Sequence, residues 1–213
     1  MKVLVACEYS GVVREAFRKL GYDAYSCDLI PTDIPSPFHI QDDVLRHLNE
    51  GWDLMIAHPP CTYLCVTGAR WLHDTRQKFA NRKQQQEEAI AFVKALWNAP
   101  IKRICIENPV GVLSSQWKLP DQIVQPYYFG ETASKATCFW LKNLPGLKPT
   151  KLVKPEMVEL NNGKRFSLWY YKTSKKCSER AKIRSKTFQG IADAMAAQWG
   201  NYKPLQFELS YWT

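Results

Sequence analysis

The stretch Leu54-Met55-Ile56-Ala57-His58-Pro59-Pro60-Cys61 runs four apolar residues into two prolines and a thiol. A short apolar run closed off in this way reads as a buried strand, and the prolines restrict the shape of the turn that follows it. The pattern recurs further along, where Arg103-Ile104-Cys105-Ile106 leads into Glu107-Asn108-Pro109. Together the two runs predict a thiol, Cys61, and a carboxylate, Glu107, at the exits of two core strands. In an open α/β sheet the exits of the strands are where ligands bind. A cysteine and a glutamate placed there can attack one atom of a heterocycle while holding another.

Outward from these runs, strands and helices alternate. Lys2–Ala6 reads as a first strand, followed by a turn at Glu8-Tyr9-Ser10-Gly11. A helix is predicted over Val12–Leu20, with Val12/Val13, Ala16/Phe17 and Leu20 at helical spacing and Gly21 as its stop. Ala24–Cys27 is a second strand ending at Asp28, and Ile30–His39, with three prolines, reads as a surface loop. Asp42-Asp43 precede a brief helical turn, and Trp52–Ala57 is the next strand. A long helix over about 81–98 presents Ala89, Phe92/Val93 and Leu96/Trp97 on one face. Later strands are predicted over Ile123–Tyr127 and Thr137–Leu141, and a last helix over Gly190–Trp199. This alternation predicts an α/β fold, a mainly parallel sheet with helices on both faces. Three regions follow: a main domain over 1–141, a basic segment over 142–187, and a C-terminal part over 188–213 that packs back on the sheet.

Composition narrows the classes. A chain of 213 residues suits one good-sized domain, and 46% hydrophobic residues with eight tryptophans exclude a disordered chain. No apolar stretch has the length of a membrane span, and Met1–Cys7 is interrupted by Glu8 too early for a signal peptide. Seven cysteines, an odd number without a Cys-x-x-Cys pair, fit reduced thiols in the cytoplasm better than a disulfide framework or a zinc site, so no metal is expected. The net charge of +9 is localised. Lys142–Thr187 holds thirteen Lys/Arg against three Asp/Glu, whereas the remainder is close to neutral. Such a segment suits a polyanion, although a solvated lysine-rich loop has the same composition.

Several polar residues are candidates for chemistry. The turn Glu8–Gly11 joins a strand to a helix N-terminus, where a cofactor can approach backbone N–H groups closely, and a plain tight turn is the alternative. Asp28, at the end of the second strand, is placed to hold a ribose hydroxyl pair, and Asp43 to hold an exocyclic amine; a cap or a solvated loop would also explain either. Cys61 reads as an accessible nucleophile rather than a packed apolar residue, whereas Cys65 reads as structural. Glu107 is unusual at the exit of a core strand. It could hold the ring nitrogen and amine of a pyrimidine, or pair with an arginine such as Arg103 or Arg70.

At this point the chain resembles a family. Pro59-Pro60-Cys61 and Glu107-Asn108-Pro109 look like the catalytic motifs of the DNA cytosine carbon-5 methyltransferases, and Gly68 recurs at the distance that the family uses in its catalytic loop. The resemblance covers roughly the first 110 residues and is closest to small phage- or prophage-encoded members. It implies a Rossmann-like class I methyltransferase fold, S-adenosylmethionine as cofactor and DNA as partner, in a bacterial or phage-infected cell. Cys61 and Glu107 would be catalytic, with Glu8, Ser10, Gly11, Asp28, Asp43 and Pro59 facing the cofactor. Arg70, Lys135, Arg165, Lys175, Lys176 and Arg184 would meet the nucleic acid. The family's glycine-rich first motif is reduced here to Ser10-Gly11 followed by valines, and its Gln-x-Arg-x-Arg motif is degenerate in Thr132–Thr137. Two other readings share these residues: an enzyme that adds the same thiolate to a free pyrimidine nucleotide, and a nucleic-acid binder without turnover.

Overall fold

A computed structural model of the chain describes residues 1–66, 81–174 and 179–202. Its strands in chain order are Lys2–Ala6 (β1), Asp23–Asp28 (β2), His39–Gln41 (β3), Leu54–Ala57 (β4), Arg103–Pro109 (β5), Gln122–Val124 (β6) and Thr137–Lys142 (β7). They form one sheet in the order β3-β2-β1-β4-β5-β7-β6. The β1–β2, β1–β4, β2–β3 and β4–β5 pairs are parallel, while β7 runs antiparallel to both β5 and β6. This is a Rossmann-like α/β fold, a mainly parallel sheet with helices on both faces, as the alternation of elements predicts.

The core strands are apolar on both faces because helices cover both. On one face Val3, Val5, Leu54, Ile56 and Phe139 pack against Val12–Lys19 (α1) and Gln189–Gly200 (α6). On the other, Leu4, Met55, Ile104, Ile106 and Trp140 pack against Arg82–Trp97 (α2), through Ile90, Val93 and Leu96, and against the single turn Leu113–Gln116 (α3). Trp199 closes the first layer. It is fully buried, meets Phe139 edge-on and donates its indole N–H to Pro145 O at 2.9 Å.

Three expectations are corrected here. Glu107 does not follow the strand on a loop: β5 continues through Glu107-Asn108-Pro109, because the whole run pairs with Thr137–Phe139 of β7. The loop predicted over Ile30–His39 ends in β3, which the parallel ladder to Ser26–Asp28 holds. The basic segment is not irregular throughout. It contains a hairpin, Met157–Glu159 (β8) with Arg165–Ser167 (β9), and the short helices Leu168–Ser174 (α4) and Arg180–Ser185 (α5).

The order of the sheet reverses between β1 and β4. At such a switch point the loops beyond the two strands diverge and leave a crevice at their carboxyl ends. The segments Cys7–Gly11 and His58–Cys61 both begin there.

Candidate active site

The parallel register aligns Ala57 of β4 with Ile106 of β5, so the residues that follow, His58 and Glu107, come side by side. His58 Nδ1 lies 2.7 Å from Glu107 Oε2, and both side chains are largely buried. Among the described residues no hydrogen bond reaches the other carboxylate oxygen, Oε1. Burial pushes the Glu107 carboxyl up, but the His58 hydrogen bond and the charges of Lys135 and His58 outweigh it and hold the group below its ordinary value. Neither Arg103 nor another arginine is its partner among the described residues. The Arg103 guanidinium instead donates to Asp53 O and Tyr202 O, and Arg70 lies outside the described residues.

The two site segments are tied together. Asn108 is buried and donates from Nδ2 to Pro59 O at 2.8 Å, which fixes the proline pair against β5. Beyond them, Val112 N donates to Leu64 O, and Cys65 bridges Gly111. A Cβ on Gly111 would fall 1.9 Å from Leu64 O, so only glycine allows this approach.

Cys61 is exposed at the mouth of this arrangement. The chain turns back immediately after it, with Leu64 N and Cys65 N both donating to Cys61 O at 3.0 Å. A hydrogen bond with Cys65, then burial of the sulfur, then the charges of Cys65 and Glu107, hold the Cys61 thiol well above its ordinary value. The charge of Lys135 opposes them. Lys135 therefore stands near both candidate catalytic groups, held by its backbone N–H to Gln125 Oε1 and by its ammonium to Arg184 O.

Across the switch point, Cys7 takes a left-handed conformation, φ 58°. This turns the chain sharply from β1 toward α1. Glu8 is buried; its Oε1 accepts from Val13 N at 2.7 Å and from the Ser10 hydroxyl, and its Oε2 from Arg14 N. The Glu8 carboxylate thus caps α1, with negative charge at the positive end of a helix. Ser10 is buried as well, and Gly11 has φ 76° beside the Arg14 guanidinium. Glu8 and Ser10 accordingly shape the turn.

Asp28 and Asp43 converge on the same place, since both charges act on the thiols of Cys7 and Cys27. Burial raises the Asp28 carboxyl; N–H groups of Ile30 and Leu29 and the charges of His39 and His58 oppose this only in part. Its Oδ1 accepts from Ile30 N at 3.2 Å. Asp43 Oδ1 accepts from Leu45 N and caps the helical turn Val44–Arg46.

The basic segment is partly committed to the fold. Lys182 and Lys186 each pair with Asp33 at 2.7 Å, and the Tyr9 hydroxyl hydrogen-bonds with Lys182 O and Ser185 Oγ. Arg184 lies over the Tyr170 ring and donates to Thr173 Oγ1, Tyr170 O and Ser174 Oγ, so it fastens α5 to α4 instead of facing outward. Arg165 is exposed on the hairpin, and Lys175 and Lys176 lie outside the described residues. The structure therefore brings Cys61, Glu107, Pro59 and Lys135 together, with Asp28 and Asp43 beside them. Sequence reasoning passed over His58 and Asn108; the signal was the register of two parallel strands, which is a property of the sheet and not of either segment.

No group of three or more His, Cys, Asp or Glu residues able to hold a metal ion occurs among the described residues, and no described helix is long and apolar enough to cross a membrane. No protein-family model matches the chain, and no curated protein matches it. Among solved structures it is similar to an E. coli prophage-encoded protein described as a "putative DNA modification methyltransferase". That likeness has 15% identity and a TM-score of 0.47, over 76% of this chain and 57% of the other. The chain thus spans little more than half the length of that protein.

Proposed function

We propose that the protein transfers a methyl group from S-adenosylmethionine to carbon 5 of cytosine in DNA, through a covalent adduct on Cys61. The observation that carries this reading is the placement of an exposed cysteine, Cys61, near a buried carboxylate, Glu107, that His58 orients, at the carboxyl ends of β4 and β5. The chemistry requires that pairing. Carbon 5 of cytosine is a poor nucleophile until a thiolate adds to carbon 6.

The residues across the crevice fit the cofactor. The Asp28 carboxylate suits a ribose hydroxyl, and that of Asp43 suits an exocyclic amine. The turn at Cys7–Gly11, kept open by Glu8 and Ser10, lets the cofactor approach the backbone. When bound there, S-adenosylmethionine supplies an electrophilic methyl group. The Cys61 sulfur would bond to ring carbon 6 as its proton passes to the ring nitrogen, where Glu107 stabilises it. The electron-rich carbon 5 would then take the methyl group as the bond to the sulfonium sulfur breaks, leaving S-adenosylhomocysteine. Loss of the carbon 5 proton to water would expel the Cys61 sulfur, which takes back the ring-nitrogen proton, and restore the ring.

A duplex substrate must first release the base from its stack, at a cost of a few kcal/mol. The exposed lysines and arginines of 142–187 would offset phosphate charge while that happens. Nucleoside mass spectrometry of DNA from cells expressing the protein tests the proposal. We expect 5-methylcytosine with the wild type and none with Cys61→Ser, which should still bind the cofactor. Full methylation by Cys61→Ser would overturn the covalent mechanism.

A further inference from the structure

His58 stands outside the roles assigned so far, yet it contacts the candidate catalytic carboxylate directly. Its Nδ1 meets Glu107 Oε2 at 2.7 Å, whereas its Nε2 is buried and has no hydrogen-bond partner among the described residues. A ring nitrogen sealed from water costs least as a bare lone pair. Protonated, it would bury an N–H that nothing among the described residues accepts. The partner of Nδ1 is an acceptor, so the proton belongs on Nδ1, and the burial of Nε2 selects the same tautomer. The groups facing His58 from neighbouring elements are Glu107 on β5 and Asp28 at the end of β2, with Lys135 acting on Glu107 from the far side.

We propose that His58 is a positioning residue for Glu107: its Nδ1–H grips Oε2, so that the carboxylate meets the target ring through Oε1 alone. Two consequences separate this from simple packing. The grip stabilises the ionised carboxylate, so removing it must increase the affinity of Glu107 for a proton. It also fixes the carboxylate plane, so removing it must slow the chemical step more than it weakens binding. The first consequence concerns the empty protein alone. The second rests on the methyl-transfer reading above.

The test uses His58→Ala and His58→Asn, because the asparagine amide can place an N–H near the Nδ1 position while lacking any titration. Carboxyl carbon NMR, with Glu107→Gln supplying the assignment, reads the Glu107 titration in the protein without ligands. We expect His58→Ala to increase proton affinity at Glu107 about tenfold, and His58→Asn to restore most of the wild-type value. In methyl transfer to duplex DNA, kcat should fall about a hundredfold in His58→Ala with little change in KM for S-adenosylmethionine, and His58→Asn should recover part of it. If His58→Ala does not fold, His58→Asn against Glu107→Gln decides. An unmoved Glu107 titration in His58→Ala would overturn the inference. A moved titration in a protein that methylates no DNA would leave the grip intact and remove the methyltransferase reading instead.

Discussion

The reactivity of Cys61 is decided by neighbours that pull in opposite directions. Cys65 and Glu107 stabilise the neutral thiol, whereas Lys135 favours the thiolate. Below its titration midpoint a thiol loses about a factor of ten in thiolate for each tenfold rise in proton affinity, and alkylation follows the thiolate. At fixed pH near 8, Cys65→Ala should therefore speed iodoacetamide modification of Cys61 several-fold, and Lys135→Met should slow it. Peptide mass spectrometry separates Cys61 from the other cysteines. Equal rates in the two variants would show that these contacts do not set the thiolate population. The same residues mark how far the sequence could be read. Cys61 and Glu107 are legible because a polar group after an apolar run is rare, but the His58–Glu107 contact depends on a register that neither run encodes. Glu8 illustrates the converse. Its place in a turn before a helix suggests a ligand, and its carboxylate is already engaged by the first N–H groups of that helix.

At the level of elements, legibility followed burial. β1 and β4 are apolar on both faces and stand out in the sequence, whereas β3 has three half-exposed or exposed residues and exists only because β2 offers it a ladder. β5 was read short because a proline is expected to end a strand, yet Pro109 sits at the end of the ladder, opposite Thr137, where the strand closes. The contact between the basic segment and the first turn was invisible for another reason: it joins residues far apart in the chain. Asp33 holds Lys182 and Lys186 and so fastens the α5 region over the loop after β2, next to Tyr9. The two lysines hold the Asp33 carboxyl below its ordinary value, so the latch is complete at neutral pH and is lost as pH falls through that lowered value. Asp33→Asn should raise amide exchange across Arg180–Ser185 several-fold at pH 7 and leave the core strands protected. High salt should reproduce part of the effect, since the pairs are partly exposed. Unchanged exchange in Asp33→Asn would show that Tyr9 and Arg184 hold α5 without it.

For the whole molecule, positive charge is divided between holding the fold and meeting a partner. Arg14 is fully buried and Arg184 is bonded within the chain, so neither can contribute to a phosphate-binding face without breaking the structure. Lys164 and Arg165, at the exposed end of the β8–β9 hairpin, have no such commitment among the described residues. Phosphate contacts release counterions, and each one adds about 0.9 to the slope of log affinity against log salt on duplex DNA. The double substitution Lys164→Gln/Arg165→Gln should therefore weaken duplex binding and flatten that slope by about one to two, with no loss of thermal stability. Arg184→Gln should do the reverse: its four contacts bind α4 to α5, so it should lower the melting temperature, and its direct effect on the salt slope should be nil. Fluorescence anisotropy on a short duplex at several salt concentrations, alongside thermal unfolding, measures both. If the hairpin variant binds with the wild-type slope, the positive charge of this segment serves the fold rather than the DNA, and the duplex must be held elsewhere on the molecule.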